Sequence, residues 1–121
     1  MSDEKKSPVE NRTAIFSLVK VLQHFGVKNL EKIFEDNPDT DDKIEWEKLQ
    51  KIAKKHGVRS SIIRPTVEEL RELNYPVIAK MTDGSYVPVG SLNDEVVLII
   101  DPRQQKAVAI QMKEFLEQWT N

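Results

Sequence analysis

One stretch of the sequence decides the fold, and it reads Glu95-Val96-Val97-Leu98-Ile99-Ile100-Asp101-Pro102. Five apolar residues, all β-branched except Leu98, run without interruption into an acid and a proline. An apolar run of this length and composition predicts a strand that is buried on both faces. The strand is expected to end at Pro102, because proline has no N–H to donate to a neighbouring strand.

Asp101 stands where this strand meets a turn, and two roles are open for it. A carboxylate at such a place either accepts hydrogen bonds from backbone N–H groups of the turn or orients a catalytic group at a site. The turn-forming role is the commoner of the two. Both alternatives stay open at the level of the sequence.

Further strands are predicted on both sides of this one. Residues 76–81 form a strand, and Asp83-Gly84 makes the hairpin turn into a strand at residues 85–89. Pro88 indicates that this second strand lies at an edge or contains a bulge. Another strand at residues 106–110 follows the central one, so that successive hairpins give an antiparallel meander.

Helices are predicted before and after the meander. Residues 13–25 carry apolar side chains on almost every side, which is typical of a buried helix, with Asn11 or Thr13 as its cap and Gly26 after its end. The other predicted elements are, in chain order, a short helix at residues 29–34 capped by Asn29, a helix at 42–56, a strand at 58–64, a helix at 66–73 that opens with a capping box, and a closing helix at 111–119. The fold class is therefore α+β, with the first helix packed on an antiparallel sheet.

The composition bounds the domain organisation and the partners. A chain of 121 residues is expected to form one domain, here residues 12–121 behind a flexible charged tail at residues 1–11. The absence of cysteine excludes disulfides, thiolate metal sites and a cysteine nucleophile. The net charge of −2 offers no overall attraction to nucleic acid. No signal peptide or membrane-spanning run is visible.

The residues alone assemble no catalytic or metal site. The glycines form no phosphate-binding loop, and His24 and His56 stand apart at spacings unsuited to a metal. The acidic loop at residues 36–42 lacks the EF-hand spacing, so a solvated loop is favoured over a calcium site. The lysines of the predicted helix at residues 42–56 form a solvated face or a surface for an acidic partner. No metal and no cofactor are expected.

Seven motifs carry a resemblance to a known family. They are Phe25-Gly26, Lys54-Lys55-His56-Gly57-Val58, Val67-Glu68-Glu69-Leu70, Tyr75-Pro76-Val77-Ile78-Ala79, Gly84-Ser85-Tyr86-Val87-Pro88-Val89, Val97-Leu98-Ile99-Ile100-Asp101-Pro102, and the run from Met112 to Thr120. In this order and at these spacings, the chain resembles the N-terminal peptidase domain of bacteriocin-processing ABC transporters, a papain-like cysteine peptidase family. The resemblance covers about residues 7–120 and implies the papain-like fold.

The resemblance also implies which positions would carry the chemistry. The family's cysteine position, thirteen residues before Gly26, is Thr13, and the oxyanion-hole glutamine position, six residues earlier, is Ser7. The catalytic histidine position is Ser85, and the orienting acid is kept as Asp101. We expect Thr13, Ser85 and Asp101 to lie near one another. We expect no proteolysis, because a thiolate and the histidine that lowers its pKa are both missing.

A degenerate branch of the family implies a binding function. Its members lack the cysteine and lie at the N-terminus of ABC transporters that secrete RTX-type toxins and adhesins, although the branch often keeps the histidine that Ser85 replaces here. The implied function is to dock the unfolded export substrate at the cytoplasmic face of the bacterial inner membrane, beside the transmembrane and nucleotide-binding domains of the parent transporter. A groove of Thr13, Tyr75, Ser85, Tyr86 and Asp101 is the expected contact surface, unless the two tyrosines are core residues. The alternatives are a papain-like interaction module for another secretion component and a peptidase with a rearranged site.

Overall fold

The computed structural model describes residues 12–120. Its elements are, in chain order, α1 (Thr13–His24), α2 (Glu31–Asp36), a 3-10 helix (Asp41–Lys43), α3 (Trp46–Lys55), α4 (Val67–Leu70), β1 (Val77–Lys80), β2 (Tyr86–Leu92), β3 (Val96–Asp101), β4 (Lys106–Gln111) and α5 (Met112–Gln118). The α+β class is confirmed. The predicted tail, including Ser7 and the candidate cap Asn11, lies outside the described residues. No helix within residues 12–120 combines the length and the apolar character needed to cross a membrane.

The four strands form one antiparallel sheet in the order β1-β2-β3-β4, so the predicted meander is confirmed. The pairing of β2 with β3 shifts between Val89 and Ser91, which is the bulge that Pro88 predicted. The alternative of an edge strand is wrong, because β2 lies between β1 and β3. Pro88, which has no N–H, fits at this interior position because the β3 ladder begins only at the next residue, Val89. On the other side Pro88 lies opposite Ile78 of β1.

The prediction that β3 is buried on both faces is wrong. Val97 is fully buried, whereas Val96 is 39% and Leu98 is 41% exposed. Successive side chains of a strand point to opposite faces of the sheet. One face of β3 packs against α5, while α1 packs mainly on β1 and β2 and leaves the other face of β3 open to solvent.

Two apolar cores lie on the two faces of the sheet. The first is built mainly by α1 and α3 and takes Tyr86 from β2, whereas the second is built around α5 and takes Val87 and Val89. The alternation along β2 therefore divides its side chains between the two cores. In this way the buried helix α1 is held on one face of the sheet, as predicted, and its N-terminus is brought to the start of β2.

Several predicted boundaries differ from the structure. Residues 58–64 form no strand, because no other strand pairs with them and both Ile62 and Ile63 are exposed. The second long helix begins at Trp46 rather than residue 42, since Glu45 is extended. The capping box at Thr66 is confirmed, although α4 ends at Leu70. Asn29 does not cap α2: the residue before this helix is Leu30, which makes no side-chain cap.

Candidate functional site

The N-terminus of α1 is capped by a residue that is distant in sequence. Neither Arg12 nor Thr13 caps it in the usual way, because no side chain at the N-cap position accepts a bond. Instead the Asp41 carboxylate accepts the Ala14 N–H at 2.8 Å and the Thr13 hydroxyl at 2.6 Å. The first N–H groups of a helix lack partners within it, and their partial positive charge favours a carboxylate. Asp41, which lies in the 3-10 helix, therefore supplies the N-terminus of α1 with both a hydrogen-bond acceptor and a negative charge.

Thr13 also joins α1 to the sheet. Its side-chain oxygen accepts the backbone N–H of Tyr86 at 2.7 Å, within the buried interior, and the Thr13 side chain is itself buried. Ser85 precedes Tyr86 directly, so the structure brings the positions of Thr13 and Ser85 together. The hydroxyl of Thr13 is thus engaged on both sides, as a donor to Asp41 and as an acceptor from β2.

Ser85 makes its hydrogen bonds to the hairpin turn and not to Thr13. Its hydroxyl donates to the Asp83 carboxylate at 2.6 Å and its N–H donates to the same carboxylate at 2.9 Å. These bonds, the hydroxyl first, hold the pKa of Asp83 below its ordinary value. Burial opposes them, and the charge of Arg103 lowers the pKa by a smaller amount than either. Gly84, at φ 89°, allows the turn to close.

Asp101 is a turn former in this structure. One carboxylate oxygen accepts the backbone N–H of Arg103 at 2.9 Å, and the other accepts the side-chain amide of Gln104 at 3.1 Å. Both bonds are made to residues of the turn that follows the strand, so the first of the two roles considered for Asp101 is confirmed. The same turn carries Arg103 to the cavity that Ser85 lines.

The cavity at the junction of these segments has a volume of about 320 Å³. It is lined by Thr40, Asp41, Asp42, Asp83, Gly84, Ser85 and Arg103. Three carboxylates face one guanidinium, so the lining is acidic on balance. Within residues 12–120, no three His, Asp or Glu side chains gather in an arrangement suited to a metal ion.

Of the seven residues that line this cavity, only Ser85 was among the predicted site residues. The six that were not predicted include the charged residues Asp41, Asp83 and Arg103. Asp41 belongs to the loop that the sequence presents as solvated, and no spacing signal links it to Thr13. Asp83 lies two residues before Ser85, and Arg103 lies two residues after Asp101. Their closeness to these predicted site positions was the only signal in the sequence that could have pointed to them.

The two tyrosines are core residues to different degrees. Tyr86 is fully buried, its hydroxyl donates to the Ile44 carbonyl at 3.1 Å, and its ring meets Trp46 edge-on at 5.2 Å. The interpretation of Tyr86 as exposed contact area is therefore wrong. Tyr75 is half-buried in the second core, donates to the Leu70 carbonyl at 2.6 Å, and does not line the cavity. Burial raises the pKa of Tyr75.

Comparison with known proteins decides the family. The model of the peptidase C39 family matches residues 8–121. The chain belongs to this family. A solved structure, that of a double glycine motif protease from an AMS/PCAT transporter in complex with the leader peptide, aligns with a TM-score of 0.78. The alignment covers 89% of this chain and 78% of that one at 24% identity, and it shows the papain-like fold. No curated protein matches the chain.

The first helix of this peptidase C39 domain begins at a threonine. The chain contains no cysteine, and α1 opens with Thr13. Neither histidine stands beside Thr13 in sequence: His24 ends α1, about 16 Å further along the helix axis, and His56 follows α3. The hydroxyl at the head of α1 is hydrogen-bonded within the domain, to Asp41 and to the Tyr86 N–H.

Proposed function

We propose that this C39 domain is a non-catalytic docking domain for an unfolded export substrate. The observation that carries the proposal is the state of Thr13, whose hydroxyl is bound by Asp41 and by the Tyr86 N–H at 2.6 and 2.7 Å. An attacking group needs a positioned base and access to its substrate. Thr13 is buried and its hydroxyl is hydrogen-bonded to Asp41 and the Tyr86 N–H rather than to a histidine, so holding a polypeptide without cutting it fits this site better than hydrolysis.

The family supports a polypeptide as the partner. The aligned protease was solved with a leader peptide, which supports peptide binding on this fold. We extend this to a secreted RTX-type toxin or adhesin that is held before translocation. In this proposal the chain is the N-terminal soluble part of a toxin-secretion ABC transporter, acts at the cytoplasmic face of the bacterial inner membrane, and contacts the transmembrane and nucleotide-binding domains of its parent.

The proposed contact surface is the acidic cavity. Ser85 and Arg103, in the turn after Asp101, line it directly. Thr13 is hydrogen-bonded to its lining residue Asp41, and the Tyr86 N–H is hydrogen-bonded to Thr13. Tyr75 lies away from this cavity and is left out of the surface. An export substrate has to be released into a pore, so binding through an open site with few side-chain requirements suits the task. Asp41, Asp42 and Asp83 favour a substrate segment that carries lysine or arginine.

The test uses a denatured C-terminal fragment of the cognate secreted protein. Calorimetry should show binding of the denatured fragment, and mass spectrometry after prolonged incubation should show the fragment intact. Ser85→Arg, which fills the cavity and repels basic residues, should weaken binding, whereas Ser91→Arg on an exposed part of β2 serves as the matched control. Cleavage of the fragment, or binding only to its folded form, would contradict the proposal.

A further inference from the structure

The two edges of the sheet are protected to very different degrees. The β1 edge is only four residues long and is covered by the end of the chain, because Thr120 donates its N–H to the Lys80 carbonyl and Met81 bridges to Trp119. The β4 edge has six residues without proline or bulge, and its charged residue, Lys106, stands at one end. Edge strands are normally shortened, charged, twisted or covered. By these criteria β4 is an open edge.

The backbone of β4 offers hydrogen-bonding groups to a further strand. In an antiparallel pair, bonded and non-bonded residue pairs alternate. The bond from the Met112 N–H to the Glu95 carbonyl sets the phase of this alternation. Counting along the register, Ala107, Ala109 and Gln111 direct their N–H and C=O groups away from β3. In the described chain, no segment outside β3 pairs with β4.

An exposed apolar face lies beside this edge. Val96 and Leu98 of β3 are 39% and 41% exposed, and the register places their partners Gln111 and Ala109 on the same face. Ala107, also exposed, continues this face along the edge. The small alanines leave room for larger side chains of an adjoining strand.

We propose that the β4 edge accepts an extended polypeptide segment as a fifth strand of the sheet. Backbone pairing supplies most of the recognition, and apolar side chains at alternate positions of the segment cover Ala107, Ala109 and Leu98. The inference concerns a surface other than the acidic cavity. It rests on the proposed function in one respect only, namely that the segment comes from an unfolded export polypeptide.

Charged residues near one end of β4 favour one orientation of the bound segment. Beyond Gln111, a groove of about 640 Å³ is lined in part by Asp94, Glu95, Glu117 and the single lysine Lys113. Its acids favour a basic residue at that end of the segment, even though Asp94 is already paired with Arg71. A second copy of the chain is a poorer occupant, because an edge about 20 Å long buries less than the roughly 1,000 Å² of a stable interface.

The decisive probe is a short synthetic peptide in which valine alternates with threonine and lysines stand at one end. It is titrated into the isotope-labelled domain, alongside two versions that are N-methylated at one or the other set of alternate residues. In a peptide strand paired with β4, only one of the two sets of alternate residues directs its N–H groups toward β4. One methylated version should therefore lose at least about tenfold in affinity while the other keeps it. Equal affinities of the two versions would overturn the proposal, as would shifts away from β4.

Substitutions in the domain give a second test. Ala109→Pro removes an outward N–H without touching the bonds to β3, and it should lower the affinity at least about tenfold. Ala109→Ser keeps that N–H and should bind like the parent. Concentration-dependent NMR shifts of β4 residues in the absence of peptide would show that two copies of the domain pair through β4. That result would overturn the choice of a polypeptide segment as the occupant of this edge. The proposed function is tested separately: it fails if the denatured secreted fragment does not bind, even where the synthetic peptide pairs with β4.

Discussion

The Thr13 hydroxyl donates to the Asp41 carboxylate at 2.6 Å, and this bond joins the head of the buried helix to the 3-10 helix. The same carboxylate caps the Ala14 N–H, while Thr13 accepts the Tyr86 N–H. A continuous chain of hydrogen bonds thus runs from the 3-10 helix through α1 to β2. At the position where the resemblance places the family's nucleophile, this domain has a structural junction.

Asp41→Ala should destabilise the domain by about 1–2 kcal/mol, because it removes the cap of α1 and leaves a buried hydroxyl without its acceptor. Urea unfolding followed by circular dichroism measures the change. Asp42→Ala is the matched control on the same 3-10 helix, where the side chain is exposed, and it should cost less than about 0.5 kcal/mol. Equal losses in the two variants would show that Asp41 is no cap.

Tyr86→Phe should cost more stability than Tyr75→Phe, although each change removes one hydroxyl. The Tyr86 hydroxyl is bonded to the Ile44 carbonyl in the interior, so its loss leaves a buried acceptor unpaired at a cost of about 1–2 kcal/mol. The Tyr75 hydroxyl is bonded at a half-buried site, where water replaces it at lower cost. Thermal unfolding of the two variants compares them. A reversed order would contradict the burial assigned to Tyr86.

Asp101→Asn should be milder than Asp101→Ala. The asparagine side chain keeps an oxygen that accepts the Arg103 N–H, whereas alanine leaves the turn without that bond. Because the bond is exposed to solvent, the alanine variant should lose only about 0.5–1.5 kcal/mol. Melting temperatures of the parent and both variants give the answer. If all three melt together, Asp101 does not stabilise its turn.

The contribution of the Ser85–Asp83 hydrogen bonds to the stability of the fold should depend on pH, in a direction set by the lowered pKa of Asp83. Since the folded-state pKa of Asp83 is lowered, the ionised carboxylate stabilises the fold above its ordinary pKa, and this contribution is lost as pH falls through the folded pKa. Ser85→Ala should raise the Asp83 pKa toward its ordinary value. Its destabilising effect should therefore be largest near neutral pH and shrink well below about pH 4.

Two measurements check this pH dependence. Carbon-detected NMR titration follows the Asp83 carboxyl directly, and urea unfolding at neutral and acidic pH follows the stability of the parent and of Ser85→Ala. Ser91→Ala is the control, because that serine lies at the other end of β2. A difference between the parent and Ser85→Ala that stays constant over the whole pH range would contradict the assignment of the lowered pKa to Ser85.

Local patterns in the sequence predict most of the elements. The apolar run at residues 96–100 predicts a strand and Asp83-Gly84 a turn, because β-branched residues and turn residues act through their own backbone preferences. The exposure of Leu98 was not predictable in this way, since it depends on which face α1 covers. The failed strand at residues 58–64 shows the same limit, because a strand requires a neighbour that pairs with it.

The candidate site was predictable only through the family resemblance. That resemblance placed Thr13 and Ser85 at one site, and the bond from Tyr86 to Thr13 joins these positions. It gave no indication of Asp41, which lies 28 residues from Thr13 and is not one of the positions that the resemblance named. A contact between the start of one helix and a 3-10 helix distant in sequence leaves no periodicity or spacing in a single sequence.

The measurement that tests the account most directly is an NMR titration of the labelled domain with the denatured C-terminal fragment of its cognate secreted protein. The account predicts shifts clustered around Thr13, Ser85 and Asp101, with the fragment recovered uncut; additional shifts at β4 would bear on the separate edge-strand proposal. Shifts confined to the exposed lysines of α3, or shifts that appear only with the folded fragment, would contradict a docking site for unfolded polypeptide at the acidic cavity.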